Sequence, residues 1–429
     1  MFKKIIKISL VASLSLSTLN AAQEEVKTED RDRIPSVQKA IQTVGNIPEK
    51  EVSVVDNFRH MFEDGKVTGQ IRTMYSEYYN ENADNTYATA LGGQLKYELA
   101  EFNGFNAGVA FSTTHNLDMI TGRDTYFNDN LSSSSSHYTE MSEAYLNYAY
   151  QDFNFRAGRQ VLDTPLADSD DCRMIPNTFE AYIASLALGD FTLIGGAVYK
   201  WQGGDAGLDT PWGKTGENGT YVGAVTYATD ILEANLWYYN VTEAANAVYL
   251  DAYTKFDLND DMALHFGVQY LDESEIDNSG VDASIYGVMA EFVAFDIGIN
   301  AAYNKATSKN GTQSFSGFGG GTLFTSMDNM ILDNMTKNND SQAYVLGLSY
   351  SIADFNLLYA YGDFSADKDT NEAKKHVVEQ DFGVEYTPND NVVLAAIYTI
   401  DDNKEDATAA DFLNDTNGHN FRLFASYNF

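Results

Sequence analysis

The sequence is poor in several things, and each absence removes a class of protein. It holds one cysteine, Cys172, so no internal disulfide can brace the fold. It has 6 prolines, and after the first twenty residues no apolar run approaches the length of a membrane helix. Basic residues are also few, with 27 Lys+Arg against 62 Asp+Glu and a formal net charge of −35. Such a chain repels phosphates and offers no basic patch, which excludes nucleic acid as a partner. What is plentiful is aromatic: 28 Tyr and 25 Phe, residues that favour a pleated sheet surface. With a mean hydropathy of −0.32, membrane insertion would have to rest on alternating strands, whose apolar face is averaged away by hydropathy windows.

The chain divides into three parts. Residues 1–22 read as a secretory leader: Lys3, Lys4 and Lys7 precede a short apolar core from Ile8 to Leu19, with Ala21 and Ala22 at a cleavage position. Residues 23–66 read as an N-terminal periplasmic segment, with folding into the barrel mouth or a loosely ordered linker as the alternatives. Within it, Ser53 to Gly65 is expected to be a short amphipathic helix with Ser53 as N-cap and Val54, Val55, Phe58, Met61 and Phe62 on one face. From 67 to 429 the apolar period becomes two.

In that third part, Tyr87, Leu91, Leu95 and Tyr97 alternate with Ala88, Gln94 and Lys96, giving one apolar edge and one wet edge. The same alternation runs through Phe295 to Tyr303, Tyr344 to Tyr350, and Val392 to Ile400. Connections alternate in length. Short turns at Tyr150–Phe153, Leu188–Phe191, Thr229–Ile231, Leu258–Met262, Ile352–Phe355 and Pro388–Asn391 are separated by longer polar stretches, among them 116–137, 162–177, 201–219 and 304–341. A transmembrane antiparallel β-barrel with short periplasmic turns and long extracellular loops alternates in this way. About eighteen strands are expected, enough to leave an aqueous lumen. Phe421, Leu423, Ala425, Tyr427 and Phe429 alternate to the last residue, as a closing strand must.

Catalytic and cofactor chemistry leaves no trace. The six histidines lie far apart, so metal spacing is absent, and no nucleophile turn or phosphate-binding loop occurs. Acidic stretches near Asp367, Asp369, Asp401 and Asp402 lack the glycine-centred geometry of a calcium loop and read as solvated. Phe315 to Gly321 and the run Ser132 to Ser136 read as flexible loop. The expectation is therefore no enzyme, no metal and no cofactor. Cys172 is expected to be passive.

The most distinctive stretch is Phe155-Arg-Ala-Gly-Arg-Gln160, followed by Pro165-Leu-Ala-Asp-Ser-Asp170 and Arg173-Met-Ile-Pro-Asn-Thr-Phe-Glu180. It resembles the OprD-like family of outer-membrane porins, as does Gly65 to Arg72 at the first strand. The resemblance implies a barrel of eighteen strands whose third extracellular loop, here Leu162 to Asn177, folds inward and narrows the pore. It further implies loop groups Asp163, Asp168, Ser169, Asp170 and Asp171, with Arg173 in the same loop, facing basic wall groups Arg72, Arg156 and Arg159. Strand parity alone sends Arg156 and Arg422 into the lumen. It sends Arg159 the other way, unless a bulge turns it or it lies above the hydrocarbon band.

These readings lead to an outer-membrane porin passing ions and small hydrophilic solutes. A cation lean is expected, because the loop carries more acids than the wall carries arginines. The alternatives are a selective channel for amino acids, peptides or carboxylates, or a barrel that anchors surface loops for adhesion. Partners would be outer-membrane lipid and lipopolysaccharide, the barrel-assembly machinery through Tyr427 and Phe429, and the solutes themselves. A homotrimer stays open.

Overall fold

The computed structural model describes residues 53–81, 84–121, 131–133, 137–209, 212–309, 311–319, 321–337, 340–366, 374–404 and 417–429. The leader, residues 23–52, and Asp367 and Asp369 lie outside them. The described residues form a closed antiparallel barrel of eighteen strands. The first strand, Lys66–Asn80, pairs with the last, Gly418–Asn428, so that Arg72 lies opposite Ser426. Gly69 and Phe429 exchange both backbone hydrogen bonds at 3.0 Å, so the terminal aromatic is stitched in. Closure matters because an unpaired backbone group in hydrocarbon costs several kcal/mol.

Alternation sorts the side chains as the period demands. In the strand Ser341–Ile352, Tyr344, Leu346 and Leu348 are 49%, 57% and 46% exposed on the lipid side, while Ala343 and Val345 are fully buried toward the lumen. The lumenal rows carry charge instead: Arg72, Glu143, Glu273, Glu379, Asp381 and Arg422 are all buried.

Four of the short turns share one device. Gln151, Gly189, Phe295 and Ala353 all have φ between 52° and 63°, and each is followed by aspartate. Positive φ at the first turn residue matches the strand twist of a two-residue hairpin. The carbonyls of Asp152, Asp190, Asp296 and Asp354 each accept an N–H from the next hairpin at 2.9 Å. The turn at Phe295–Asp296 was not expected; Phe295 was assigned to a strand, which in fact begins at Ile297. Its phenylalanine precedes the aspartate, whereas Phe153, Phe191 and Phe355 follow Asp152, Asp190 and Asp354.

Two other expectations are corrected. The N-terminal helix spans only Phe58–Glu63 and is capped by Asn57, whose side chain accepts the N–H groups of Arg59 and His60; Val54–Val55 is extended. Ser132 and Ser133 are no free tip. Both are buried, and the Leu131 carbonyl accepts from the Thr114 hydroxyl at 2.6 Å. The rest of that serine run lies outside the described residues.

Candidate functional site

The third loop, 161–177, connects the strands Phe153–Gln160 and Thr178–Leu188. It reaches the first strand of the wall at Arg72. The guanidinium donates to Asp171 through Nη1–Oδ1 at 2.7 Å and Nη2–Oδ2 at 2.9 Å, and also to the Arg173 carbonyl. The Arg72 side chain is fully buried and that of Asp171 is 13% exposed, so this forked pair works in a low-dielectric setting. Burial pushes the Asp171 carboxyl up, and Arg72 opposes that push.

The other expected loop groups mainly hold the loop to itself. Asp163 accepts from the backbone N–H and the hydroxyl of Ser169, at 3.2 and 2.5 Å. Asp168 accepts the Asp170 N–H at 2.9 Å. Asp170 adopts φ 37°, and its carboxyl is held well above the ordinary range by burial and by the charges of Asp205 and Asp168. Arg173 turns away from the wall to the fourth loop, where it pairs with Asp205 at 3.4 Å and donates to the Gly204 carbonyl. Burial also raises the Cys172 thiol well above its usual value, and the thiol donates to the Asp170 carboxylate at 3.4 Å.

The wall arginines do not form one ladder against this loop. Arg156 faces the lumen as parity requires, stacked over the Tyr145 ring at 4.3 Å and donating to Asn147. Arg159 lies apart. Its strand shows no register shift against either neighbour, so parity keeps it outside, and its guanidinium covers Trp212 of the fourth loop at 4.3 Å. Arg422 faces inward but pairs with Asp328 of the seventh loop.

The described residues of that seventh loop, between the strands Ile297–Ser308 and Ser341–Ile352, pack inward. Leu323, Phe324, Met327, Met330, Leu332 and Met335 are all buried against the lumenal wall. The wall supplies the polar anchors. Gln269 takes the Phe324 N–H and donates to the Thr322 carbonyl, and Asn304 takes the Thr325 N–H. At the tip, Glu379 accepts the N–H groups of Asn329 (2.9 Å) and Met330 (2.7 Å), while Asp401 accepts the Asn329 amide at 2.7 Å. Thr399 and Arg422 both donate to Asp328. A turn of backbone donors is thus seated on wall acids.

The glycine-rich stretch joins the two loops. The Phe318 N–H donates to the Leu166 carbonyl at 2.9 Å and the Asp168 N–H to the Phe318 carbonyl at 3.0 Å. Gly319 has φ 103°, and a Cβ there would sit 2.2 Å from the Asp168 carbonyl oxygen, so only glycine fits. Phe318 packs edge-on against Trp201.

The sequence reading also passed over a second charged group on the wall below. Lys96 pairs with Glu143 at 3.1 Å, Tyr145 donates to Glu98 at 2.6 Å, and Lys96 and Arg156 both approach the Tyr145 ring. Strand parity could have found Lys96. It could have found Glu143 only with the bulge opposite Ala110–Phe111, which turns both Ser142 and Glu143 inward. For the seventh loop the available signal was its apolar content between Leu323 and Met335, which a solvated loop has no reason to carry. Among the described residues no group of three or more His, Cys, Asp or Glu side chains could hold a metal ion.

A closed ring with a lipid-facing apolar belt, a charged lumen and long loops on one end defines a bacterial outer-membrane channel barrel. The chain belongs to the OprD family of outer membrane porins, whose sequence pattern matches residues 60–388. No curated protein matches by sequence comparison. Solved structures share the fold at low identity. Acinetobacter baumannii OccAB3 has a TM-score of 0.73 at 15% identity, covering 86% of this chain and 99% of its own. Pseudomonas aeruginosa OpdK, solved with vanillate, has a TM-score of 0.72 at 16% identity, again covering 86% of this chain and 99% of its own.

Proposed function

We propose that this porin passes ions and small hydrophilic solutes by diffusion, that its third loop constricts the lumen, and that it leans toward cations. The observation that carries this reading is the forked Arg72–Asp171 bond, which ties the third loop to a lumenal wall residue 99 positions away. The seventh loop, seated on the wall through Asp328 and Arg422, supports a second narrowing element.

The cation lean is supported by how the charges pair. Asp171 is answered by Arg72, Asp205 by Arg173 and Asp328 by Arg422. Glu379, Asp381 and Asp401 have no Lys or Arg ion pair among the described residues, so the wall beside the seventh loop carries more acids than bases. Rings of such charge set pore selectivity.

The test is single-channel recording of the refolded protein in a planar bilayer under a salt gradient. Stepwise conductance with a cation-shifted reversal potential is expected. An anion shift would keep the porin and hand selectivity to the arginines. Silence from a folded barrel would leave only the surface-anchor alternative.

A second reading, a channel preferring carboxylates, rests on Arg156 and Lys96 flanking the Tyr145 ring. The OpdK structure with vanillate makes that aromatic carboxylate a sensible probe. Concentration-dependent block of the current by vanillate, absent in Arg156→Gln, would favour it. The oligomeric state stays open, and cross-linking in outer membranes separates a monomer from a homotrimer; recognition of Tyr427 and Phe429 by barrel-assembly machinery is checked by outer-membrane assembly of a Phe429-deleted chain.

A further inference from the structure

The segment that leads into the barrel carries large apolar side chains on its outside. Val54, Phe58 and Phe62 are 75%, 64% and 51% exposed, while Met61 among them is buried. The helix Phe58–Glu63 has six residues, too few to persist alone in water. It is held by its neighbours instead. Ser53 accepts the Glu101 N–H at 2.8 Å, Met61 accepts the Ala100 N–H at 2.9 Å, and Val54–Val55 pairs in parallel with Glu101–Phe102.

Where it is held decides what it can touch. Tyr97 donates its hydroxyl to the Phe62 carbonyl at 2.6 Å. In the sheet register Tyr97 stands directly between Val67 and Val109, both exposed on the lipid side. The helix therefore hangs from the outer rim of the barrel, at the end that carries the short periplasmic turns. Its apolar side runs on into the aromatic belt. Phe58 meets Phe62 at 5.5 Å and Phe102 at 6.4 Å, Phe102 pairs with Phe105, and Phe105 packs on Tyr148 at 4.5 Å. Arg59 and Glu63 pair with each other on the polar side.

The geometry points to a lipid-seated foot: Val54, Phe58 and Phe62 enter the headgroup–acyl boundary of the periplasmic leaflet and fix the depth of the first strand. Continuity with the lipid-facing belt identifies the occupant as phospholipid, since aromatic side chains concentrate at that boundary and an apolar helix face buries there. This surface is independent of the pore reading and needs only the outer-membrane barrel.

The experiment uses full-length mature protein with Phe62→Trp, and separately Phe58→Trp, folded into vesicles of phosphatidylcholine brominated near the headgroup end of the acyl chain. Emission is read as the difference from the unsubstituted protein, which has its own 3 tryptophans. Heat-modifiable mobility on a gel verifies folding. The expected result is loss of most of the added emission in brominated vesicles, with no quenching by aqueous iodide. Quenching by iodide alone would place the side chains in water and overturn the proposal. Resistance to both quenchers would mean that residues 23–52 cover the face, and would overturn it equally.

Discussion

The guanidinium of Arg72 and the carboxylate of Asp171 meet as a planar fork, with contacts of 2.7 and 2.9 Å between the first barrel strand and the third loop. Removing one partner leaves the other charged and buried. Arg72→Ala is expected to cost about 3–5 kcal/mol of loop attachment, the usual penalty for breaking a buried pair. The readout is a larger, noisier single-channel conductance, with Asp171→Asn giving the same sign. Unchanged conductance in both variants would mean that the third loop does not limit the current.

Arg422 and the wall acids should move selectivity in opposite directions. Arg422→Gln leaves Asp328 without its cation and is expected to shift the reversal potential further toward cations. The combined change Glu379→Gln, Asp381→Asn and Asp401→Asn is expected to shift it toward anions. A shift of the same sign in both variants would exclude this region as the selectivity-setting one.

Gly319 links the loops in a backbone conformation closed to other residues. Gly319→Ala, with φ 103° and a Cβ 2.2 Å from the Asp168 carbonyl oxygen, is expected to destabilise the junction by about 1–3 kcal/mol. External protease should then cleave the seventh loop of the variant in intact cells faster than that of the parent. Equal cleavage rates would count against the junction.

The seventh loop should also respond to pH. Burial pushes the Asp333 carboxyl from its ordinary 3.8 up to about 7, so the packed loop holds a proton that the released loop would give up. The sign follows from that difference. The attachment is fully favoured below about pH 4 and loses this contribution as pH rises through 7. Protease protection of the loop is expected to fall between about pH 4 and 7 and to level off above that, the range set by the two values. Asp333→Asn should flatten the curve; a variant that keeps the full dependence would assign it to another group.

Much of the architecture was legible because a barrel wall obeys a local rule. Tyr344 and Leu346 face lipid and Ala343 and Val345 face inward, since neighbouring side chains on a strand point to opposite sides. The same rule placed Arg156 and Arg422 in the lumen and Arg159 outside. It could not say what each would meet. Arg422 finds Asp328, and Arg173 finds Asp205, through contacts with loops distant in sequence.

The sequence by itself determined the membrane barrel, its closing strand and its acidic character, because period, turn chemistry and charge are properties of short windows. Only the tertiary structure decided how the lumen is occupied. Whether Leu323 to Met335 is a solvated loop or a packed insert depends on the wall opposite offering Gln269, Asn304 and Glu379 to its backbone. Those residues come from different strands, and the pairing and curvature of the sheet bring them to one side of the lumen. A loop's own composition can show that it seeks burial, but its resting place depends on where partners far along the chain stand once the barrel has closed.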